Sequence, residues 1–233
     1  MIKIDIMTLF PDMCETVLNE SIIGRARKAE KIDIVCHNIR DFADNKHNRV
    51  DDAPYGGGFG MIMMAEPIYR CFNSLYDENS EKPHLIYVSP KGKTFDQQTA
   101  IRLSKMDRFV ILCGHYEGVD QRVLDEIVDE EISLGDFVLT GGELPALVIT
   151  DAVCRMHEGV LSDESCFTEE SHYNGLLEYP QYTRPEVWKD RKVPKVLLSG
   201  HHLNIEKWRK DKSVEITKSL RPDMYQKYCE ENK

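Results

Sequence analysis

Short stretches of apolar and β-branched residues recur through the first 140 residues, and each is long enough for one strand. Five stretches predict strands: IKIDIMTLF (2–10), IDIVCHNI (32–39), HLIYVSP (84–90), RFVILCGHY (108–116) and EEISLGDFVL (130–139). Several are apolar at nearly every position instead of at alternate positions. That pattern is typical of a sheet that is covered on both faces.

Three stretches between these strands predict helices: AEPIYRCFNSLYD (65–77), FDQQTAIRLSKM (95–106) and DQRVLDEIV (120–128). A further helix should begin near Pro145, because proline costs little in the first turn of a helix. The alternation of strands and helices predicts an α/β domain with a mainly parallel sheet.

The alternation stops near residue 161. Residues 162–175 are polar and have no sustained period, which is typical of a linker or mobile loop. Beyond them, Ile205, Trp208 and Ile216 have helical spacing. We therefore expect an α/β domain at 1–161, a flexible interdomain linker at 162–175 and a small all-α domain at 176–233.

Composition narrows the class of protein. A hydrophobic share of 41% in 233 residues is enough for a sizeable core. No apolar run approaches the roughly 20 residues that span a bilayer, and the first ten residues lack the layout of a signal peptide. The seven cysteines are scattered and contain no C-x-x-C pair, which argues against a disulfide framework and a thiolate zinc site. We expect a cytoplasmic protein that does not contact a membrane.

The charge is unevenly distributed. The net charge is −10, yet residues 184–221 carry +6 and the rest of the chain −16. A basic segment on an acidic body could dock nucleic acid through its phosphates. In an arbitrary protein, a solvated, salt-bridged helix surface is the commoner explanation of such charges, so charge alone does not decide between the two interpretations.

Glycine-bearing loops supply the candidate chemistry. They are VDDAPYGGGFGMIMM (50–64), ILCGHYEGVDQR (111–122) and GDFVLTGGELPA (135–146), to which YVSPKG (87–92) adds a fourth loop. The carboxyl ends of parallel strands meet at one edge of a sheet, where ligands bind, so these loops could converge. None matches the Walker pattern or G-x-G-x-x-G, so a nucleotide site is a weak inference.

Five blocks of the sequence carry a resemblance: VDDAPYGGGFGM, CGHYEGVDQR, SLGDFVLTGGELPA, YPQYTRPEVW and VPKVLLSGHHLNIEKWR. In content, order and spacing they resemble the signature blocks of the bacterial tRNA (guanine-N1-)-methyltransferase family (TrmD), over about residues 1–222. Five blocks in order are far more specific than any one of them.

The resemblance implies a fold and an activity. The fold is of the SPOUT type, with a deep trefoil knot that forms an S-adenosylmethionine pocket, although knots are rare in proteins. The family is homodimeric, and it methylates N1 of guanosine 37 in tRNAs in which a G precedes that base. It also requires Mg²⁺, whose site the sequence does not identify.

Because the motifs match, the family's site residues can be assigned to positions in this chain. The implied cofactor-binding residues are Tyr87, Ser89, Pro90, Gly114, Tyr116, Glu117, Gly118, Ile132, Ser133, Leu134, Gly135, Asp136, Phe137, Val138, Leu139, Gly141, Gly142 and Pro145. The implied RNA contacts are Gly56, Gly57, Gly58 and Gly60 beside the target base, and Arg184, Lys207 and Arg209 on the anticodon arm. The resemblance also implies that the backbone of the loop at 135–146 recognises the adenine. Because S-adenosylmethionine has no phosphate, the loop needs no lysine after its glycines.

The resemblance also implies two catalytic residues. Arg155 matches the arginine that stabilises charge on the base, although an i,i+4 pair with Asp151 would explain it structurally. Glu170 aligns with the family's catalytic aspartate. This is a departure from the family, because one more methylene moves the carboxylate, and small displacements matter in catalysis. Glu169 could take the role instead, or Glu170 could be a solvated linker charge.

Two other interpretations of the whole chain stay open at this point. A non-catalytic RNA-binding module is supported by the change at Glu170, and a generic nucleotide-dependent α/β enzyme is disfavoured by the missing phosphate-loop motifs. Trp208 could stack on RNA, but a tryptophan at helical spacing more often belongs to a core. The histidines His115, His201 and His202 have no metal-ligand spacing.

Overall fold

A computed structural model describes residues 1–77 and 79–232. Contacts divide the chain into two compact units, Met1–Asp163 and a second that begins at Glu164. Within the described residues, no helix has the length and apolar character needed to cross a bilayer.

The described residues of the first unit contain seven strands: β1 (Ile2–Thr8), β2 (Ile32–Asn38), β3 (Asp51–Asp52), β4 (Ile62–Met63), β5 (His84–Thr94), β6 (Arg108–Cys113) and β7 (Glu130–Ser133). Five of them form one sheet in the order β2-β1-β6-β5-β7, and every pairing in it is parallel. Strands β3 and β4 form a separate antiparallel pair. The predicted α/β class and parallel sheet are confirmed.

In the part of this unit that the structure describes, six helices accompany the sheet: α1 (Pro11–Leu18), α2 (Ser21–Lys28), α3 (Ala65–Asn73), α4 (Gln97–Leu103), α5 (Gln121–Ile127) and α6 (Glu143–Cys154). A 3-10 turn at Ile39–Phe42 follows β2. Helices α1, α2, α4 and α6 share one buried cluster, and α3 and α5 share another. The sheet is therefore covered on both faces.

Successive residues of one strand enter opposite clusters, because side chains alternate across a sheet. In β6, Phe109 and Ile111 lie in the cluster of α1, α2, α4 and α6, while Val110 and Leu112 lie in that of α3 and α5. All four are fully buried. The unbroken apolar run of this strand is thus explained by its central position.

Four of the five predicted strands end earlier than expected. Strands β1 and β2 stop one or two residues early, at Thr8 and Asn38. Strand β6 stops at Cys113 and β7 at Ser133, so the predictions up to residues 116 and 139 were wrong at their carboxyl ends. After β7, Gly135 has a φ of +146°, which only glycine adopts easily. The Phe137 N–H donates to the Gly135 carbonyl at 2.9 Å, so the chain turns here.

The second unit is mostly helical. It contains α7 (Ser165–Thr168), α8 (His202–Leu220) and α9 (Pro222–Glu231), a 3-10 turn at Lys195–Leu198, and two strands, β8 (Val187–Trp188) and β9 (Arg191–Lys192). The helix predicted through Ile205, Trp208 and Ile216 is confirmed as α8. The two strands form a hairpin, so the expectation of an all-α domain was wrong at residues 187–192.

Segment 162–175 has local structure. It contains α7, and the Asn174 side chain donates to the Thr168 carbonyl at 2.5 Å. Beyond it, the Glu178 N–H donates to the Ser171 hydroxyl at 2.9 Å. Its mobility before RNA binds stays a prediction.

Candidate functional site

A cavity of about 360 Å³ lies at the carboxyl ends of β5, β6 and β7. Its walls come from residues 87–91 of β5, from the loop between β6 and α5, and from the loop between β7 and α6. This is the edge where open parallel sheets bind ligands. Three of the four predicted segments therefore meet at one cavity, although the one at 87–92 lies within β5 and is not a loop.

All but two of the predicted cofactor residues line this cavity. The lining residues that were predicted are Tyr87, Ser89, Pro90, Gly114, Tyr116, Glu117, Gly118, Ile132, Ser133, Leu134, Phe137, Val138, Leu139, Gly141, Gly142 and Pro145. Gly135 and Asp136 belong to the same loop without lining the cavity.

Seven lining residues were missed: Val88, Lys91, His115, Val119, Gln121, Leu124 and Thr140. Each lies within or beside a loop that was identified, so adjacency to the motifs was the signal that could have found them.

The glycines of the β7–α6 loop have a packing role. A Cβ at Gly142 would lie 2.7 Å from the Cα of Cys113 and 2.9 Å from the amide nitrogen of Gly114. The Gly142 N–H donates to the Gly114 carbonyl at 2.8 Å. The glycine thus lets the loop lie directly against the end of β6, and the Gly142 amide already has a protein partner. That the backbone of this loop holds the adenine stays a prediction.

Gly141 is constrained by side chains. A Cβ there would run into the carboxylate of Glu143 and lie 2.7 Å from Nδ1 of His115. Glu143 is buried at the start of α6, where it accepts a hydrogen bond from the Thr8 hydroxyl at 2.7 Å. A buried carboxylate and an imidazole thus lie directly beneath the loop.

Polar groups on the β5 wall have fixed partners. The Ser89 hydroxyl donates to Glu131 at 2.7 Å and accepts the Lys91 N–H at 3.1 Å. Burial first, and then the charge of Glu131, raise the pKa of Tyr87 to about 12. At neutral pH this phenol is therefore uncharged.

The rim of the cavity includes an unusual backbone conformation. Tyr116 has a φ of 59°, which is uncommon for a side chain of this size and is often found at functional sites. Its hydroxyl lies 3.3 Å from the Arg40 guanidinium, which donates to it.

The glycine-rich loop of residues 53–61 joins this rim without lining the cavity. The Glu117 N–H donates to the Met61 carbonyl at 3.0 Å, and the Met63 N–H donates to the Gly118 carbonyl at 2.9 Å. A Cβ at Gly60 would lie 2.5 Å from the Glu117 side chain. The other predicted glycines, Gly56, Gly57 and Gly58, have positive φ and are exposed.

The two predicted catalytic residues lie in different units. Arg155 is half-buried and caps the carboxyl end of α6, where its N–H donates to the Asp151 carbonyl at 3.1 Å. It lies one residue past the last residue of this helix, Cys154. Glu170 is half-buried in the second unit, and its neighbour Glu169 is exposed at the end of α7.

The predicted anticodon-arm residues differ in their surroundings. Arg184 is exposed before a cis proline, and Lys207 forms an ion pair with Asp211 at 3.2 Å. The Arg209 guanidinium lies 4.8 Å from the centre of the Tyr179 ring. Trp208 is half-buried, and its ring contacts Tyr179 and Tyr182, which favours a packing role for this tryptophan.

Metal-ligating groups do not cluster in the part of the chain that the structure describes. No group of three or more His, Cys, Asp or Glu residues there could hold a metal ion.

Comparison with known proteins identifies the family. The family model described as tRNA (Guanine-1)-methyltransferase TrmD matches residues 2–227. A protein of Ruminiclostridium cellulolyticum named tRNA (guanine-N(1)-)-methyltransferase is 53% identical over 99% of each chain. Proteins of the same name from Alkaliphilus oremlandii and Lachnospira eligens are 55% and 52% identical, over 95% and 97% of this chain and 91% and 96% of theirs. The chain belongs to the tRNA (guanine-1)-methyltransferase TrmD family.

Proposed function

We propose that this protein transfers a methyl group from S-adenosylmethionine to N1 of guanosine 37 in tRNAs in which a G precedes that base. The observation that carries the proposal is the match with the TrmD family over residues 2–227. Its relatives are named for methylation of guanine N1 in tRNA. Position 37 and the preceding G come from the family resemblance.

The cavity at the ends of β5, β6 and β7 suits the cofactor. It has both apolar walls and backbone groups, and the β7–α6 loop presents Phe137, Val138 and Leu139, which are 54%, 80% and 39% exposed. We propose that this loop packs on the adenine ring, and that the β5 and β6 ends hold the methionine part. When bound, S-adenosylmethionine supplies an electrophilic methyl group.

Two side chains would handle the guanine. N1 of neutral guanine bears a proton, and its lone pair becomes available only as that proton leaves. We propose that the Glu170 carboxylate accepts the proton, help that is typically worth about 10²–10⁴-fold. Negative charge then develops on O6, where the Arg155 guanidinium would stabilise it. Glu169 is the alternative base.

We propose the deep trefoil knot as the finer fold. Strand β7 lies at the edge of the sheet beside β5. The loop that follows it nevertheless hydrogen-bonds to the end of β6, and α6 then packs against α1, α4 and β1. The chain thus returns from the edge to the centre of the sheet past the α4 connection. Passage through the loop formed by that connection would tie the knot.

We propose that two copies assemble into a homodimer. On α1, Met13 and Val17 are 44% and 53% exposed; on α6, Leu144 and Val148 are 47% and 48% exposed. The two helices pack against each other on the same face of the sheet. Their outward sides therefore form one apolar surface, which we call the α1–α6 surface, and a second copy would cover it.

The remaining parts of the proposal concern RNA, compartment and metal. Residues 1–161 would carry the cofactor, 162–175 would be a mobile linker, and the basic region within 176–233 would hold the anticodon arm through Arg184, Lys207 and Arg209. The seven cysteines are free thiols, in keeping with a cytoplasmic protein. The described residues offer no cluster for the Mg²⁺ that the family resemblance implies, so no step of the proposed reaction is assigned to it.

The test is to incubate purified protein with S-adenosylmethionine and unmodified tRNA, then map the modified nucleotide by mass spectrometry. We expect one methyl group on N1 of G37, and none when the preceding G is replaced. The change to Glu170 favours one competing function, that of a non-catalytic RNA-binding module. Tight tRNA binding without methylated product would establish that module and refute the proposed enzyme.

A further inference from the structure

Two aromatic side chains project from the glycine-rich loop into solvent. Tyr55 is 100% exposed and Phe59 is 99% exposed. Large apolar rings are stabilised by burial, so their full exposure marks a surface that binds something. This loop therefore presents two large rings to solvent, where a protein surface usually presents charged side chains.

The loop is held at the rim of the cavity. The Met61 carbonyl accepts the Glu117 N–H at 3.0 Å, and Met63 bridges to Val119. Glu117 and Val119 both line the cavity. The two aromatic rings thus belong to a loop whose base is anchored to the cavity wall.

The loop backbone favours a flat occupant. Gly56, Gly57 and Gly58 have φ of +88°, +78° and +127°, and a Cβ at any of them would meet no atom within 4 Å. Nothing therefore crowds the space around these three glycines. Without side chains, they let a planar group approach the backbone between the two rings.

Planar groups with exposed π-faces are what unpaired RNA offers. Proteins bind single-stranded nucleic acid by stacking its bases on aromatic side chains, and every base has a face for this. A protein partner would instead require an extended apolar patch, whereas this loop presents two rings separated by glycines. The observations therefore favour unpaired RNA as the occupant.

We propose that Tyr55 and Phe59 form a stacking platform for unpaired anticodon-loop bases next to the base that enters the cavity. The inference rests on the proposed function and deepens it, because it assigns RNA contacts to two side chains where only the loop glycines had been implicated. Both are positioning residues, since they hold the RNA and do not touch the reacting atoms.

The test measures tRNA affinity of the full-length protein carrying Phe59→Ala, Tyr55→Ala or both. We expect each single variant to bind tRNA about 5-fold to 100-fold more weakly, the range that base stacking on aromatic residues supplies. Affinity for S-adenosylmethionine, measured by calorimetry, should be unchanged. Phe59→Trp and Tyr55→Phe keep the ring and should retain affinity, whereas Phe59→Leu keeps apolar character without the ring and should not.

Synthetic anticodon stem–loops locate the stacked base. Abasic nucleotides are introduced one at a time, and each stem–loop is bound to the wild type and to Phe59→Ala. We expect the Phe59→Ala effect to vanish for one abasic position beside the target base and to persist for the others. An equal effect at every position would overturn the proposal.

Control variants distinguish a stacking platform from a general loss of surface and from a dimer contact. Tyr69→Ala removes an exposed tyrosine on α3 outside the loop and should leave tRNA affinity unchanged. If Phe59→Ala instead dissociates the dimer in sedimentation velocity, the occupant is a second copy and the proposal is wrong. Wild-type product formation tests the enzymatic function independently, so failure of the platform leaves methylation standing.

Discussion

At the scale of single residues, Asp5 is a buried carboxylate among apolar neighbours. It lies in β1, an interior strand of the sheet, with a side-chain exposure of 1%. It accepts from the Arg108 guanidinium of β6 at 2.8 Å and contacts His37 of β2 at 2.7 Å. One carboxylate thus links three adjacent strands.

This contact predicts how stability depends on pH. Burial alone would raise the pKa of Asp5, but hydrogen bonds from His37 and Arg108 outweigh it and hold that pKa below its ordinary value of 3.8. A lowered folded-state pKa adds stability above the unfolded-state value, and this stability is lost as pH falls through the folded-state pKa.

We expect Asp5→Ala to lower the free energy of unfolding by about 3–5 kcal/mol at pH 7, because it leaves the Arg108 charge without its partner. Urea unfolding at fixed protein concentration measures the loss. The difference from wild type should shrink as the pH drops below about 4. Asp33→Asn, on the partly exposed face of β2, should cost less than about 0.5 kcal/mol. A loss that stays constant with pH would contradict the stabilising role of the Asp5 charge.

Glu170 is the residue on which the proposed chemistry depends. We expect Glu170→Gln to lower the single-turnover methylation rate by about 10²–10⁴-fold, because the amide cannot accept the N1 proton. Affinities for tRNA and S-adenosylmethionine should change little. Glu169→Gln is the matched control and should methylate normally. Near-normal rates in Glu170→Gln together with a large loss in Glu169→Gln would move the base to Glu169.

At the scale of elements, the β7–α6 loop depends on a close approach of backbone to backbone. Gly142 faces main-chain atoms of β6, whereas Gly141 faces the side-chain ends of Glu143 and His115. Side chains can move aside, but a strand in the centre of a sheet cannot. Adding a methyl group should therefore destabilise the protein more at Gly142 than at Gly141.

We expect Gly142→Ala to destabilise the protein by about 1–3 kcal/mol through overpacking, and to weaken S-adenosylmethionine binding at least about ten-fold because the loop shifts. Gly141→Ala should cost less in both measurements. Thermal unfolding and calorimetric titration provide the two values. Equal effects at the two positions would show that packing against β6 is not what requires Gly142.

The strands and helices also show which parts of the fold could be predicted from the sequence. Apolar runs identified all five strands of the sheet, because a strand that is buried on both faces is apolar at nearly every position. Helices α1 and α2 were not predicted, although they are no shorter than α4 and α5. Gly24 lies within α2, and a glycine inside a helical pattern weakens the prediction of a helix. The β8–β9 hairpin turns through Lys189 and Asp190, which both have positive φ. This Lys-Asp pair differs from the Asn-Gly or Asp-Gly pairs that usually mark such turns, so the hairpin was not predicted.

The candidate site was predictable in its members but not in its interactions. The motifs indicated most of the residues that line the cavity. They could not indicate that the Gly142 amide donates to the Gly114 carbonyl. Nor could they indicate that the glycine-rich loop of residues 53–61 joins the rim of the cavity through Glu117. Such contacts join segments far apart in sequence, so no local pattern records them.

At the scale of the whole molecule, the exposed apolar α1–α6 surface predicts where a second copy binds. We expect the double variant Val17→Glu and Val148→Glu to remain folded, because both positions are partly exposed in the single chain. In the proposed homodimer these charges would be buried without partners, which is strongly unfavourable. Sedimentation velocity should therefore show a monomer where the wild type is a dimer.

Loss of the dimer should abolish methylation as well, since we propose an enzyme that works as two copies. Leu220→Glu, at an exposed apolar residue of α8, is the control and should sediment like the wild type. Circular dichroism of the double variant verifies that its helices and sheet are intact. A double variant that still sediments as a dimer would show that the α1–α6 surface is not the interface, while a wild type that sediments as a monomer would refute the homodimer itself.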